Sequence, residues 1–360
     1  MNIKQTKENI CNKVFVGVSG GVDSSVTAAI LKERGFDVTG VFIKIWHPDL
    51  LGCDWRDEMR DAMRVCAHLE IPFKMVDLAE EYRNKVIKYM VDSYKNGLTP
   101  NPDVMCNTHI KFGVFYDWAI ENGADFVATG HYAQIKKAEE NNFLTKGVDT
   151  EKDQSYFLWN IRKECLEKMI LPIGEYKKSE VRQLAEKYKL PTAKKPDSQG
   201  LCFIGDVDLK FFLKKHITST KGDVLDLSGK VIGYHDGALL YTTGERHGFK
   251  VETKNDSQEP LYVLSRNIEK NTITVGEKKF LEENVTTKIV LKNINLLSDI
   301  KSKEIDVVFK YHGKKEKAFI ISKNEKEIIL ELDRPIVIPA SGQSAVLYTE
   351  DFCIGGGVIQ

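Results

Sequence analysis

The sequence has no surplus of either charge: 52 basic residues balance 52 acidic ones over 360 positions, so the formal net charge is zero. That excludes a general polyanion coat and leaves room only for a local basic surface. No apolar run approaches the roughly 18 residues that a membrane helix needs, and the opening MNIKQTKENICNK lacks the apolar stretch of a secretory signal. A strand-like segment follows almost at once, with no space for a transit peptide. A cytoplasmic protein without a membrane partner is expected. The seven cysteines, Cys11, Cys53, Cys66, Cys106, Cys165, Cys202 and Cys353, contain no CxxC pair. A zinc ribbon is therefore disfavoured, and seven thiols in a cytosolic chain of this length are not a disulfide framework. There is no fixed long repeat and no low-complexity tract.

What is present is ordinary globular material, 42% hydrophobic and 29% charged, in a length that suggests two or three domains. The first half alternates strand-like and helix-like segments, the pattern of a parallel sheet covered by helices. Strands are expected at 14–18, 38–45, 73–76 and 126–129, and helices at 24–34, 54–70, 80–95, 107–121 and 177–188. A Pro- and Asn-rich loop is expected over 98–105 and another loop over 194–204, with a short helix at 208–216. From about residue 222 helical periodicity gives way to short β-type runs: VLDL, VIGY, LLYT, LYVLS and TITVG, then KIVL, DVVFKY, AFIIS, EIILEL and AVLY. This implies an α/β fold: an N-terminal parallel-sheet nucleotide-binding domain over 1–207, a small mainly-β central domain over 208–280, and a C-terminal β-barrel over 281–360.

Residues 14–25 read VFVGVSGGVDSS. A strand delivers the chain to Ser19-Gly20-Gly21, and a helix begins near Asp23. Glycines let backbone N–H groups approach an anion, and a helix N-terminus adds partial positive charge. Serine hydroxyls supply further donors. This is a pyrophosphate cradle, but no lysine follows in the GxxxxGKS register, so it is not the Walker A loop. Ser19–Ser24 matches SGGxDS in full, and the sequence resembles the PP-loop ATP pyrophosphatases. The resemblance implies that ATP is split between the α and β phosphates and that AMP is transferred to an oxygen of the substrate. Magnesium would neutralise the pyrophosphate, with Asp23 to orient it. Gly130, in ATGHYA just past a strand end, is expected near the adenosine. His131 beside it serves either the nucleotide or the packing.

Cys106 follows Asn101-Pro102-Asp103-Val104-Met105 and is expected just before a helix, where a thiol gains thiolate character. Asp103 is placed to act as acid or base. Cys202 lies in DSQGLCFIG, a polar loop. Spacing alone does not bring the two cysteines together. Cys66, Cys165 and Cys353 read as buried small hydrophobes.

The set SGGVDS, NPDVMCNTHIKF, ATGHYA, KDQSYFL and DSQGLCFIG, in this order and with SGQSAVLY and IGGG near the end, resembles the tRNA-specific 2-thiouridylase family over essentially the whole chain. The resemblance implies a nucleophile at Cys106 and a persulfide carrier at Cys202, which pair as a disulfide during turnover. It implies ATP contacts at Gly17, Val18, Ser19, Gly20, Gly21, Val22, Asp23, Ser24, Ile43 and Gly130. Asn101-Pro102-Asp103 would face the target base, and Lys152-Asp153-Gln154 and Lys310-Tyr311 would contact tRNA. Two positions depart from the family pattern. Lys310 stands where arginine is usual, keeping the charge but losing the bidentate fork, and Gln199 stands where threonine is usual. The implied reaction is ATP-dependent 2-thiolation of the wobble uridine of tRNA, by adenylation of its C2 oxygen and sulfur transfer, with release of AMP and pyrophosphate. Sulfur would come from a persulfide donor such as a cysteine desulfurase or relay protein. In a variant route Cys106 frees hydrosulfide.

Residues 301–326 hold eight lysines against four carboxylates, with Tyr311 among them, a basic, aromatic-bearing surface of the kind that small barrels use to hold RNA. The competing reading is a solvated lysine-rich hairpin. Two other enzymes remain in view: a PP-loop ligase that adenylates a small carboxylic acid, and a thiolase with an iron–sulfur cluster on Cys106, Cys202 and Asp103, which no CxxC supports. A non-catalytic tRNA-binding module fits poorly with an intact SGGVDS.

Overall fold

The computed structural model describes residues 12–46, 55–138, 140–197, 209–252 and 259–360. Along the chain, β1 (Lys13–Gly17) leads into α1 (Val22–Glu33), β2 (Asp37–Lys44), α2 (Trp55–His68), β3 (Phe73–Asp77) and α3 (Ala79–Tyr82). After a π-type turn at Arg83–Ile87 come α4 (Lys88–Lys95), α5 (Pro102–Met105), a π-type run Cys106–Val114, α6 (Phe115–Glu121) and β4 (Phe126–Ala128). A hairpin, β5 (Ala133–Ala138) and β6 (Asn141–Lys146), precedes β7 (Met169–Ile170) and α7 (Lys178–Lys187). Contacts group the chain into two compact units: Met1–Tyr82, Cys106–Gln199 and Asp351–Cys353 form one, and Arg83–Met105, Gly200–Glu350 and Ile354–Gln360 the other.

In the first unit the sheet runs in the order β3-β2-β1-β4-β7, all pairs parallel. The strands read as near-continuous Val, Phe and Ile because both faces are covered. Val14, Val16, Val26, Leu31, Phe42 and Val65 lie in its core. β2 and β4 flank β1 on opposite sides, so the chain order reverses there. The carboxyl ends of β1 and β4 open onto the crevice where such sheets bind ligands.

In the second unit, α8 (Leu209–His216) precedes a sheet of β8 (Gly222–Leu225), β9 (Val231–His235), β10 (Lys250–Val251), β11 (Leu261–Asn267) and β12 (Thr272–Glu277). α9 (Lys278–Glu283) leads to β13 (Val285–Leu296), β14 (Glu304–Val308), β15 (Glu316–Lys323), β16 (Glu327–Val337), β17 (Ser344–Thr349) and β18 (Phe352–Ile359). These six follow the order β13-β16-β15-β14-β17-β18, and β13 also pairs with β18. The sheet closes on itself around Leu291, Val307, Leu330 and Leu347, leaving no barrel edge. The expected parallel-sheet domain, small β module and C-terminal barrel are all present.

Four local expectations are corrected. The loop over 98–105 contains α5: the Asn101 Oδ1 accepts the Val104 N–H at 3.3 Å, and Pro102 occupies the first helical position, where its missing N–H costs nothing. Cys106 therefore comes a full turn after the helix start, not just before it. The helix over 107–121 is broken at Phe112 and Gly113, whose backbones leave the helical region, and the helix over 80–95 is interrupted by the π-type turn. LLYT is not a strand: Gly237, at φ +132°, turns the chain into a 3-10 turn at Ala238–Leu240 that buries Leu240 and Tyr241.

Candidate nucleotide site and cysteine

The loop between β1 and α1 is held by its own hydroxyls. The Ser24 Oγ donates to the Gly21 carbonyl at 3.2 Å and accepts the Ser19 N–H at 3.2 Å. The Ser19 Oγ lies 3.3 Å from the Ser24 Oγ and accepts the Gly21 N–H at 3.4 Å. The Ser25 Oγ donates to the Gly21 carbonyl at 2.7 Å. Gly21 is the N-cap of α1, so Val22, Asp23 and Ser24 form its first turn, whose N–H groups have no acceptor within the helix. Gly20 takes φ +74°, and a Cβ there would lie 2.5 Å from the Glu58 carbonyl oxygen. A Cβ on Gly130 would lie 2.8 Å from the Ser24 nitrogen, so the strand end after β4 packs directly on the loop. Ile43, on β2, lies beside Gly17. The residues expected around ATP, Gly17–Ser24, Ile43 and Gly130, thus converge at the reversal point of the sheet.

Around them stands a charge network that sequence reading missed. The Lys178 ammonium, only 15% exposed, lies 2.7 and 3.0 Å from the two Asp23 carboxylate oxygens and 2.9 Å from Asp197. The Tyr132 hydroxyl donates to Asp23 at 2.8 Å. Arg182, one turn along α7, also pairs with Asp197, and Lys152 lies 3.9 Å from it. Burial pushes the Asp197 carboxyl up, but the hydrogen bond and charge of Lys178, then the charge of Arg182, outweigh it and hold the group below its ordinary value. Burial, then the charge and hydrogen bond of Asp23, push the Tyr132 phenol far up, so it stays a donor.

His131 is a packed, neutral histidine. Its Nδ1 lies 2.7 Å from the Thr129 Oγ1 and its Nε2 3.4 Å from the Lys111 ammonium. Burial first, and the Lys111 charge second, push its pKa well below the usual imidazole value. Lys111 has no acceptor electrons when charged, so the Nε2 accepts and the Nδ1–H donates to Thr129.

Cys106 is fully buried. Lying beyond the first helical turn, it is outside the reach of the helix-end field that argued for a thiolate. Asn107, next to it, donates from Nδ2 to the Phe157 carbonyl at 3.1 Å, and its buried Oδ1 has no partner among the described residues. Cys11, Cys53, Gln199 and Cys202 lie outside the described residues. Cys66, Cys165 and Cys353 are buried, as expected for small hydrophobes. Burial pushes the Cys66 thiol up to about 11, and Cys165 likewise to about 11.

The three segments expected to meet tRNA differ in exposure. Asp153 is turned inward: its Oδ1 accepts the Gly147 and Ser155 N–H groups at 3.0 and 3.1 Å, and its Oδ2 the Ser155 hydroxyl at 2.9 Å. Burial raises its pKa against those bonds. Gln154 is tied to Tyr132, accepting its N–H at 3.0 Å and donating its own to the Tyr132 carbonyl at 2.8 Å. Lys152 is exposed. In the second unit, Asn101, Pro102 and Asp103 form the start of α5. Lys310 and Tyr311 follow β14, with Lys310 exposed and Tyr311 stacked on His312 at 3.9 Å. Lys315 and Lys317, counted above in the basic surface, lie 3.7 and 3.0 Å from Asp306. Two cavities of about 410 and 500 Å³ also belong to the second unit; Arg246, Phe249 and Leu261 line one, Tyr94, Lys210 and Glu245 the other.

A serine-latched Ser-Gly-Gly loop between a central parallel strand and a helix N-terminus defines a nucleotide-binding α/β protein of the PP-loop class. Residues 12–206 match the family described as the tRNA methyl transferase HUP domain. Residues 210–277 match the tRNA methyl transferase PRC-barrel domain, and residues 286–359 the aminomethyltransferase beta-barrel domain. The chain is 41% identical over 353 residues to the tRNA-specific 2-thiouridylase MnmA of Staphylococcus carnosus, covering 96% of this chain and 95% of the relative. It is 40% identical over 356 residues, with the same coverages, to that of Staphylococcus aureus strain bovine RF122. The chain belongs to the tRNA-specific 2-thiouridylase family. Among solved structures, the U34-tRNA thiolase NcsA of Methanococcus maripaludis aligns at TM-score 0.36 and 21% identity, over 59% of this chain and 66% of that one.

Proposed function

We propose that this protein uses ATP to replace the C2 oxygen of the wobble uridine in tRNA with sulfur. The observation that carries the reading is the latched loop of Ser19–Ser24 with Gly130 packed on it, in a chain whose curated relatives are 2-thiouridylases along their whole length. ATP adenylates the C2 oxygen, pyrophosphate leaves, and the activated carbon accepts sulfur. The backbone donors of the first turn of α1 are suited to a phosphate, and Asp23 offers the oxygen donors that would hold magnesium with the nucleotide. When bound, that ion would neutralise the leaving pyrophosphate.

In our reading Cys202 carries a persulfide supplied by a desulfurase or relay protein. Its terminal sulfur attacks C2 and AMP departs. Cys106 then attacks the remaining sulfur–sulfur bond at the Cys202 sulfur, releasing the thiolated base; in the variant route Cys106 attacks that bond first, and the hydrosulfide it displaces attacks C2. Either route leaves a Cys106–Cys202 disulfide that an external thiol must reduce before the next cycle. Asp103 serves as acid or base, Asn101–Asp103 face the base, and Lys152-Asp153-Gln154 and Lys310-Tyr311 contact tRNA. The three-domain division at 207 and 280 belongs to the same reading.

Incubation with unmodified tRNA, ATP, magnesium and a persulfide donor, followed by nucleoside mass analysis, tests it. Wild type is expected to make 2-thiouridine and Cys202→Ser none. Absence of the product from wild type, or AMP release driven by a small carboxylic acid instead of tRNA, overturns the reading.

A further inference from the structure

The phosphate loop contains no lysine, yet a lysine stands against it. Lys178 reaches the Asp23 carboxylate from α7, an element distant in sequence, and is largely shielded from water. Its position runs against local preference. Lys178 is the first residue of α7 after the Lys177 N-cap, where the positive helix end favours Asp or Glu and disfavours a cation. The helix start is fixed regardless: the Lys178 N–H donates to the Asp149 Oδ2 at 2.8 Å, and the Glu180 carboxylate closes back on the Lys177 N–H at 2.7 Å. A residue that breaks a local rule inside a well-made element is a mark of function. Arg182 stands four positions on, on the same face of α7. Together the two cations meet two carboxylates, Asp23 and Asp197.

We infer that Lys178 is the polyphosphate ligand of the site, binding the part of ATP that leaves as pyrophosphate, with Asp23 and Asp197 holding its ammonium in place when no nucleotide is bound. The carboxylate oxygens it contacts have the charge and hydrogen-bonding character of phosphate oxygens, and Asp23 belongs to the helix turn whose N–H groups suit an anion. The inference rests on the adenylating reading only in taking the nucleotide to be ATP.

Affinities for ATP, pyrophosphate and AMP, measured by calorimetry on the full chain, test it. Lys178→Met should weaken ATP and pyrophosphate by about tenfold or more, as expected for loss of a charged hydrogen bond, and AMP by less than about twofold. Removing the lysine also takes a cation from Asp23 and leaves Asp197 to Arg182 and Lys152, so Lys178→Met with Asp197→Asn is the deciding variant. A ligand lost is not restored by neutralising Asp197, and the double variant should stay weak. Recovery of ATP affinity to within about twofold of wild type would mean that Lys178 only offsets Asp197, and would overturn the inference. Equal loss of AMP, or unchanged ATP binding by a folded Lys178→Met, overturns it as well while leaving the thiolation reading standing. A wild type that binds no ATP defeats both.

Discussion

Gly130 has no room for a side chain, because the Ser24 nitrogen and the Asp23 carbonyl carbon lie 2.8 and 2.9 Å from where its Cβ would be. Both are backbone atoms of the first turn of α1 and cannot swing aside as a flexible side chain would. Gly130→Ala is expected to displace that turn and weaken ATP binding by about tenfold or more, the scale of one misplaced charged hydrogen bond. Thermal stability should fall by no more than about 1–3 kcal/mol, a usual overpacking cost. Calorimetric titration and thermal unfolding read the two effects separately, and wild-type affinity would remove Gly130 from the site. His131, one residue on, shows the opposite constraint: between Thr129 and Lys111 it is held neutral, so it offers no titratable proton near physiological pH.

At the scale of the element, the segment 152–154 is a turn assembled around Asp153. Its carboxylate gathers the Gly147 and Ser155 N–H groups and thereby starts the 3-10 turn Ser155–Leu158. Asp153→Ala leaves those donors without their acceptor and should destabilise by roughly 1–3 kcal/mol in denaturant unfolding. Asp153→Asn keeps an acceptor oxygen and should cost less than about 1 kcal/mol. If Asp153→Asn instead weakens tRNA binding severely while folding normally, the carboxylate touches RNA and its inward role is secondary. The start of α5 works by the same principle, with Asn101 as cap and Pro102 in the first turn. A stretch that reads as a loop by composition is a helix start by capping chemistry.

For the whole molecule, a zero net charge means that RNA affinity must come from local patches. Association with tRNA should weaken by an order of magnitude or more between about 50 and 200 mM salt, through loss of counterion release. Lys310 is exposed and should carry part of that slope, so Lys310→Ala should reduce it by about 1. Lys315 lies near Asp306 and donates to the Glu350 carbonyl at 2.5 Å, so Lys315→Ala should change it less. Filter-binding titrations over a salt series decide between them. Equal slopes for wild type and Lys310→Ala would make the hairpin a solvated surface.

The sequence by itself determined the class of fold and the chemistry of the loop. Period-two and period-3.6 hydrophobic patterns are local, and a Ser-Gly-Gly turn before a helix carries its donors wherever it is placed. It determined the family as well, because several motifs in one order span the chain. What only the tertiary structure decided lies between segments far apart in the chain. Lys178 meets Asp23 across 155 positions, and Gly130 meets Ser24 because β1 and β4 are neighbours in the sheet. The inward hydrogen bonds of Asp153 depend on where Gly147 and Ser155 fold. Closure of the barrel was likewise beyond local pattern, since β13 finds β18 only after every strand between them has paired. Local sequence sets which groups a segment can offer; packing sets which of them meet, and burial then decides their charge.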